Sequence, residues 1–240
     1  SLCEAQYSTS MHGPAVASLL VGKNCGTAPG ARLYYVAVPS WEKDAKNYAT
    51  ALNTIVDWSE ELPKDERIRA VSVSARPADL YEPRWKNEKM WEAAVIRAEA
   101  AGMLILDCTT HRGFISTCYP DFEHRDQPAA CSPARPGRRY VGTNKYTFMA
   151  PTSRRTTAEA RQRADYGYIY WGRSGLSWGI PYVAGVAALG WQLKPEISAQ
   201  EMKELLFNSA HRKSEDILII DPPAFVKDVK KSIPKEPPDS

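Results

Sequence analysis

The sequence predicts one α/β domain in which helices cover both faces of a mostly parallel sheet. Its 240 residues, 43% of them hydrophobic, can bury a sizeable core. Short apolar runs of strand length alternate with stretches of helical periodicity, which is typical of parallel strands joined by crossover helices. No internal repeat or low-complexity tract interrupts this alternation. The pattern therefore favours a single sheet-centred domain over a repeat architecture.

Strand-length runs and helical stretches follow one another along the chain. The predicted strands are Leu33–Val38, Ala70–Ser74, Met103–Leu106 and Tyr140–Gly142. The predicted helices are Tyr48–Leu62 and Asn87–Ala101. The stretch Cys118–Arg139 is rich in proline, aspartate, arginine and glycine, which predicts a long surface loop. We expect the domain to span residues 1–229 and a flexible tail to occupy residues 230–240.

Composition excludes several classes of protein. The net charge of +3 comes from 31 basic and 28 acidic residues that are scattered along the chain. No basic stripe for nucleic acid or an anionic membrane is present. No apolar run approaches the roughly 18 residues of a membrane span. The five cysteines are irregularly spaced, so no zinc site is predicted, and no cofactor. No D-x-D-x-D-G stretch occurs, but many members of the family resembled below bind calcium in loops, so calcium binding stays open. Cys118 and Cys131 are compatible with a disulfide and equally with two free thiols. The cellular compartment and the oligomeric state stay open.

A serine near the start of GLSWGIPYVAGVAAL, residues 175–189, is the first candidate functional residue. Serine is a common helix N-cap, so capping is one explanation of Ser177. Pro181, however, cannot donate the usual helical hydrogen bond to the carbonyl of Ser177. Gly175 and Gly179 also let other groups approach closely. These neighbours predict a turn that is built around a ligand or a reacting group.

A histidine stands at a second helix start, in SMHGPAVASLLVG at residues 10–22. A lone histidine is usually structural, but His12 opens a small-residue helix much as Ser177 does. If the two helix starts meet, the imidazole can act as a general base and activate the hydroxyl toward acyl carbons. The sequence therefore predicts that His12 and Ser177 face each other across one cleft.

These motifs resemble those of the subtilisin-like serine peptidases, the subtilases, over nearly the whole chain. HGPAVAS is similar to the family's HGTHVAG, and GLSWGIPYVAG is similar to GTSMAxPHVAG. CGTAPGARLYYVAV at 25–38 resembles the pattern GVAP-x-A-x-L-Y-x-V-K-V. Three further stretches, at 71–77, 148–158 and 218–227, resemble family motifs in the same order. The resemblance implies a subtilisin-like three-layer sandwich.

The resemblance also implies a serine endopeptidase that works through an acyl-enzyme. His12 is implied as the general base and Ser177 as the nucleophile, whose backbone N–H supplies half of the oxyanion hole. The family's second oxyanion donor is an asparagine, and His111 stands in its place. Either His111 or Thr110 is expected to donate there, and an ordinary loop histidine is the alternative for His111. Trp178 replaces a methionine of the family and is expected to pack beneath the serine.

An extended peptide or protein is the partner that the resemblance implies. In subtilases the strand end that matches residues 71–77 pairs with the substrate by β-augmentation. Ser72, Ser74 and Ala75 are implied as backbone binders. Arg76 replaces a small residue, which predicts a preference for acidic groups or a partly blocked cleft, unless Arg76 is only a solvated loop charge.

The orienting carboxylate of the triad is where the sequence departs from the family. In subtilases an aspartate precedes the histidine, on a central strand between those that match Leu33–Val38 and Ala70–Ser74. Glu4 is the only acidic residue before His12, so we expect an N-terminally truncated chain that lacks the aspartate strand and is poorly active by itself. Asp107, at the end of another strand, fits a structural role better. The alternative function is a catalytically impaired relative that uses its cleft for peptide binding or signalling.

Overall fold

The computed structural model describes residues 11–78, 85–109, 112–134, 146–162 and 165–234. These residues form six α-helices and nine strands. In chain order they are α1 (His12–Val21), α2 (Ala45–Glu61), β1 (Ala70–Val73), α3 (Glu88–Ala100), β2 (Leu104–Asp107), β3 (Ile115–Tyr119), β4 (Ser132–Pro133), β5 (Phe148–Pro151), β6 (Arg155–Gln162), β7 (Asp165–Trp171), α4 (Leu176–Leu193), α5 (Ala199–Asn208), β8 (His211–Ser214), β9 (Ile217–Ile219) and α6 (Pro222–Lys231). The predicted strand Tyr140–Gly142 lies outside the described residues.

The helices follow local sequence signals closely. Helices α2 and α3 confirm the two predicted from periodicity, and the Asp44 side chain caps α2 by accepting a hydrogen bond from the Lys46 N–H at 2.9 Å. Helix α6 continues to Lys231, past the domain end that we placed at residue 229. No helix within the described ranges has both the length and the apolar character needed to cross a bilayer.

Helices pack on both faces of the parallel pair β1–β2, as the sequence predicted. Side chains alternate between the faces of a strand, and β2 shows this division clearly. Leu104 and Leu106 join the large core that β2 shares with α4, α5 and α6. Met103, just before β2, and Ile105 belong to the second core, with α2 and α3. This three-layer region holds the carboxyl ends of β1 and β2 in a fixed place.

The strands outside the β1–β2 pair form a mixed sheet and a hairpin. A mostly parallel sheet is therefore not confirmed. A five-stranded sheet has the order β4-β3-β5-β9-β8. Its inner pairs β3–β5 and β5–β9 are parallel, whereas its outer pairs β3–β4 and β8–β9 are antiparallel. Strands β6 and β7 form a separate antiparallel hairpin. Residues 215–216 alone separate β8 from β9, whereas residues 120–131 separate β3 from β4, and periodicity does not reveal either antiparallel pair.

The predicted strand Leu33–Val38 is not a strand in the structure. Within the described residues it pairs with no other segment. Leu33 and Tyr35 are 41% and 53% exposed, which is unusual for an apolar run of strand length. Alternating apolar residues favour a strand, but a strand also needs a neighbour that completes its hydrogen-bond ladder.

The predicted surface loop Cys118–Arg139 is confirmed in its middle, where residues 122–127 are exposed, whereas strands occupy residues 118–119 and 132–133. Residues 135–139 of this stretch lie outside the described residues. Cys118 lies in β3, and the short strand β4 returns antiparallel to it. Cys118 and Cys131 are 0% and 3% exposed. Proline and aspartate correctly indicated turns here, but the two thiols are buried by packing against Met149 of β5 and Ile219 of β9.

Candidate active site

Ser177 lies in the first turn of α4, at the carboxyl ends of β1 and β2. Ser74 directly follows β1 and Cys108 directly follows β2, and both contact Ser177. The carboxyl edge of parallel strands is the usual position of a site in α/β proteins. The fold therefore places this serine where ligands commonly bind.

Ser74 and Ser177 exchange two hydrogen bonds. The Ser74 hydroxyl donates to the Ser177 carbonyl at 2.8 Å, and the Ser177 hydroxyl donates to the Ser74 carbonyl at 3.3 Å. Pro181 stands four residues after Ser177 within α4 and has no N–H, so the Ser177 carbonyl lacks its helical donor. Ser74 replaces that donor. The N-cap of α4 is Gly175 and no side chain caps the helix, so the capping explanation of Ser177 is wrong.

Cys108 is a site residue that the sequence analysis missed. Its thiol hydrogen-bonds with the Ser177 hydroxyl. Burial, together with the charge of Asp107, raises the pKa of Cys108 to about 12. The thiol is therefore protonated at neutral pH and is not itself a thiolate nucleophile. The available signal was its position directly after a buried strand, at the same sheet edge as Ser74.

His12 opens α1, which packs against α4. The imidazole lies against the indole of Trp178, with ring centroids 5.4 Å apart and planes 50° apart. Trp178 is 6% exposed and shares a small core with Ala15 and Leu19 of α1. The start of α1 thus contacts the first turn of α4 through His12 and Trp178. That His12 and Ser177 face each other across one cleft stays a prediction. The catalytic roles of His12 and Ser177 stay predictions.

The imidazole of His12 is half-buried, and this burial lowers its pKa below the ordinary value of 6.5. Desolvation disfavours the charged form of a histidine. At neutral pH the ring is therefore neutral, which is the form that can accept a proton.

Tyr35 is a second residue that sequence reasoning did not single out. Its hydroxyl lies so close to Gly13 that a Cβ at position 13 would stand 2.3 Å from it. A glycine is therefore required beside His12 for the present position of the tyrosine ring. No local sequence signal indicated this contact, because the two residues belong to separate segments.

The predicted substrate-binding residues line the end of β1 beside Ser177. Ser72 lies within β1. The Ala75 N–H donates to the Val73 carbonyl at 2.7 Å, and the Ala75 carbonyl accepts from the Cys108 N–H at 3.0 Å. The exposed Arg76 donates from Nε to the Cys108 carbonyl at 3.0 Å. In this structure both backbone groups of Ala75 are therefore engaged inside the molecule.

Asp107 is buried and holds the turn after β2. Its Oδ1 accepts hydrogen bonds from the Thr109 N–H at 3.0 Å and from the Thr109 hydroxyl at 2.6 Å. These bonds support the structural role expected for this carboxylate. The two candidates for the second oxyanion donor, Thr110 and His111, lie outside the described residues. Among the residues that are described, no group of three or more His, Cys, Asp or Glu side chains could hold a metal ion.

Solved structures are similar to this chain although its sequence alone finds no match. No model of a known protein family matches it, and no curated protein does. A structure described as the structural basis of subtilase cytotoxin SubAB assembly is 16% identical, with a TM-score of 0.63 over 92% of this chain and 77% of that chain. Sphericase is 21% identical, with a TM-score of 0.58 over 86% of this chain and 71% of that chain. PatG macrocyclase in complex with peptide is 17% identical, with a TM-score of 0.63 over 92% and 68% of the two chains.

These comparisons define the class of the molecule. The chain has a subtilisin-like fold, and its structural neighbours include subtilisin-like proteases and macrocyclases. The resemblance that the sequence motifs indicated is thus confirmed at the level of the fold.

Proposed function

We propose that this chain is the peptidase domain of a subtilisin-like serine endopeptidase, with Ser177 as nucleophile and His12 as general base. The observation that carries the proposal is the meeting of two helix starts at one sheet edge. One presents a hydroxyl beside the carboxyl ends of β1 and β2, and the other presents a half-buried, neutral imidazole against the next residue, Trp178. These are the two groups that acyl transfer needs first.

The start of α4 suits the stabilisation of a developing oxyanion. N–H groups in the first turn of a helix have no acceptor within the helix, and no side chain caps α4. The N–H of Ser177 belongs to this turn and would donate to the carbonyl oxygen of the substrate as that oxygen becomes negative. Thr110 or His111 is proposed as the second donor, as the family resemblance implies.

The mechanism begins when the Ser177 hydroxyl turns from Ser74 toward His12. Its bond to the Ser74 carbonyl is long, at 3.3 Å, and is therefore weak and easily exchanged. His12 then takes the hydroxyl proton while Oγ forms a bond to the peptide carbon. The imidazolium returns that proton to the leaving amine, and water repeats the sequence to release the acid from the acyl-enzyme. Throughout, Ser74 acts as a positioning residue, because its hydroxyl holds the Ser177 carbonyl.

We propose an extended peptide as the substrate, lying along Ser72, Ser74 and Ala75. One structural neighbour, the PatG macrocyclase, is described in complex with peptide. The exposed Arg76 guanidinium stands at this edge and would favour an acidic substrate residue nearby. Because the backbone of Ala75 is already engaged, peptide binding at that position would have to displace its bond to Val73.

A fluorophosphonate probe tests the proposal directly, because it reacts only with an activated serine. We expect one covalent adduct, located on Ser177 by peptide mass spectrometry. Ser177→Ala should remove the adduct, and His12→Ala should slow its formation strongly. Ser214→Ala changes an exposed serine of β8 and should leave labelling unchanged. Hydrolysis of a peptide library that persists in Ser177→Ala would refute the assignment.

A peptide-binding relative without catalysis is the second candidate. The observation that favours it is that the Ser177 hydroxyl bonds with Ser74 and Cys108 in this structure. If this arrangement persists with peptide present, the protein should bind peptides and yet show no probe adduct on Ser177. The labelling experiment and a peptide-binding titration together separate the two candidates.

A further inference from the structure

Two buried cysteines meet at one edge of the five-stranded sheet. Cys118 lies in β3, and Cys131 directly precedes β4, which pairs antiparallel with β3 so that Cys118 stands opposite Pro133. Both cysteines belong to one apolar cluster with Met149 and Ile219. The two thiols are close enough to influence each other's ionisation, and the Cys131 thiol donates to the Gln127 carbonyl at 3.9 Å. The fold, and not chain flexibility, therefore brings these two sulfurs together.

Two cations lie beside this pair. Lys213 Nζ donates to the carbonyl oxygens of Cys131 and Ala129, where the loop enters β4. Arg155 is anchored by donation from Nε to the Pro151 carbonyl at 2.9 Å. Its guanidinium also lies 4.0 Å from the centroid of the Tyr182 ring. The thiols thus sit in an electropositive setting, which stabilises a thiolate.

The two thiols are not equivalent in this setting. The hydrogen bond from Cys118 lowers the pKa of Cys131, and the charges of Lys213 and Arg155 lower it further, against the opposing effects of burial and Asp121. The same hydrogen bond and burial raise the pKa of Cys118. Cys131 is therefore the thiol that ionises first.

We infer that Cys118 and Cys131 form an oxidisable dithiol and thus a modification site. A low-molecular-weight disulfide oxidises the two thiols, which then form a disulfide with each other. The Cys131 thiolate attacks one sulfur of the small disulfide, which forms a mixed disulfide and expels one small thiolate. Cys118 then loses its proton and attacks the Cys131 sulfur, which expels the second small thiolate. Two electrons pass from the protein to the small disulfide, and the protein loses two hydrogens.

Two other cysteines lie in different environments and serve as comparators. The Cys25 thiol donates to the Ser18 carbonyl at 3.5 Å. Cys108 hydrogen-bonds with Ser177, and burial raises its pKa to about 12. Neither of these contacts involves a second thiol. Oxidation by thiol exchange should therefore select Cys118 and Cys131.

The disulfide would close the loop between β3 and β4, whose residues 122–127 are exposed. A crosslink of this kind restricts the unfolded chain. We expect the oxidised protein to melt about 5 °C or more above the reduced protein. The inference does not depend on the proposed peptidase activity, because no step involves His12 or Ser177.

The test is to incubate the full chain with oxidised glutathione, to block remaining thiols with N-ethylmaleimide, and to digest without reduction. Mass spectrometry should then find the Cys118 and Cys131 peptides linked, two hydrogens lighter than the sum of the reduced peptides. Cys118→Ser should accumulate a glutathione adduct on Cys131, whereas Cys131→Ser should leave Cys118 unmodified. Cys25→Ser is the matched control and should form the same link as the wild-type chain.

Three results would overturn the inference. One is full alkylation of both thiols after unfolding of the glutathione-treated wild-type chain. Another is a link from either cysteine to a different one. The third is equal glutathione adduct formation on all cysteines. Mapping the disulfide in the wild-type chain tests the inference even if a serine variant fails to fold.

Discussion

The serine half and the histidine half of the candidate site are held by different forces. Around Ser177, directed hydrogen bonds join α4 to the segments that follow β1 and β2. Around His12, the contacts include ring packing on Trp178 and the approach of Tyr35 to Gly13. Directed bonds fix an atom in place, whereas packing of rings permits small shifts. We therefore expect the backbone at Ser177 to be rigidly placed, while the Ser177 hydroxyl can still turn toward His12.

Removing the nucleophile is the severest way to test the serine half. Ser177→Ala should abolish the peptide hydrolysis that the wild-type chain shows, because the acyl-enzyme can no longer form. The melting temperature should change little, since the deleted hydroxyl makes only a long bond to Ser74 and a contact with Cys108. Ser214→Ala serves as the control, and a similar loss of turnover there would point to a general defect.

The histidine half of the site can be tested through the pKa of His12. The base must be neutral, so kcat/KM should fall about tenfold per pH unit once the pH drops below the pKa of His12. Burial lowers that pKa, and the fall should therefore begin below pH 6.5 and not above it. A pH–rate profile of peptide hydrolysis measures the pH at which kcat/KM begins to fall.

The exposed His124, which bonds to Asp121, supplies the control for that profile. His124→Gln should reproduce the wild-type pH dependence, because this ring lies on the surface loop before β4. A fall that begins well above pH 6.5 would contradict either the role of His12 or its burial.

The hydrogen bond from Ser74 can be tested with a double-mutant cycle. Ser74→Ala removes the donor to the Ser177 carbonyl and should lower the free energy of unfolding by about 1 kcal/mol. It should also lower kcat by about tenfold with little change in KM, because the first turn of α4 shifts. Pro181→Ala restores a helical N–H at the correct position, so in that background Ser74→Ala should cost less. Equal costs in the two backgrounds would show that the carbonyl does not need this donor.

The contact between Gly13 and Tyr35 should give the smallest effect. A Cβ at position 13 would stand 2.3 Å from the Tyr35 hydroxyl and 3.5 Å from the ring carbon behind it. Because Tyr35 is 53% exposed, its ring can move aside, and Gly13→Ala should change the free energy of unfolding by less than about 1 kcal/mol. The displaced ring should nevertheless change the probe-labelling rate by a few fold. Tyr35→Phe combined with Gly13→Ala should restore that rate, and failure to do so would show that this contact does not position His12.

Local signals were sufficient for the helices of the three-layer region. Periodic apolar residues predicted α2 and α3 because each side chain's burial follows from its place on the helix surface. Leu33–Val38 and the strands at residues 118–119 and 132–133 were misread for the opposite reason. Whether an apolar run becomes a strand, or a polar stretch contains one, depends on a neighbour that is distant in sequence.

The sequence by itself determined that the Ser177 carbonyl would lack a helical donor, because Pro181 has no N–H. It also determined which two helix starts carry a hydroxyl and an imidazole, and the motif order that resembles a subtilisin-like fold. Only the tertiary structure decided that Ser74 donates to that carbonyl, that Cys108 contacts the hydroxyl, and that Trp178 lies between the two halves of the site. Covalent features such as a missing N–H belong to single residues, whereas hydrogen-bond partners across the chain exist only after the strands and helices have packed.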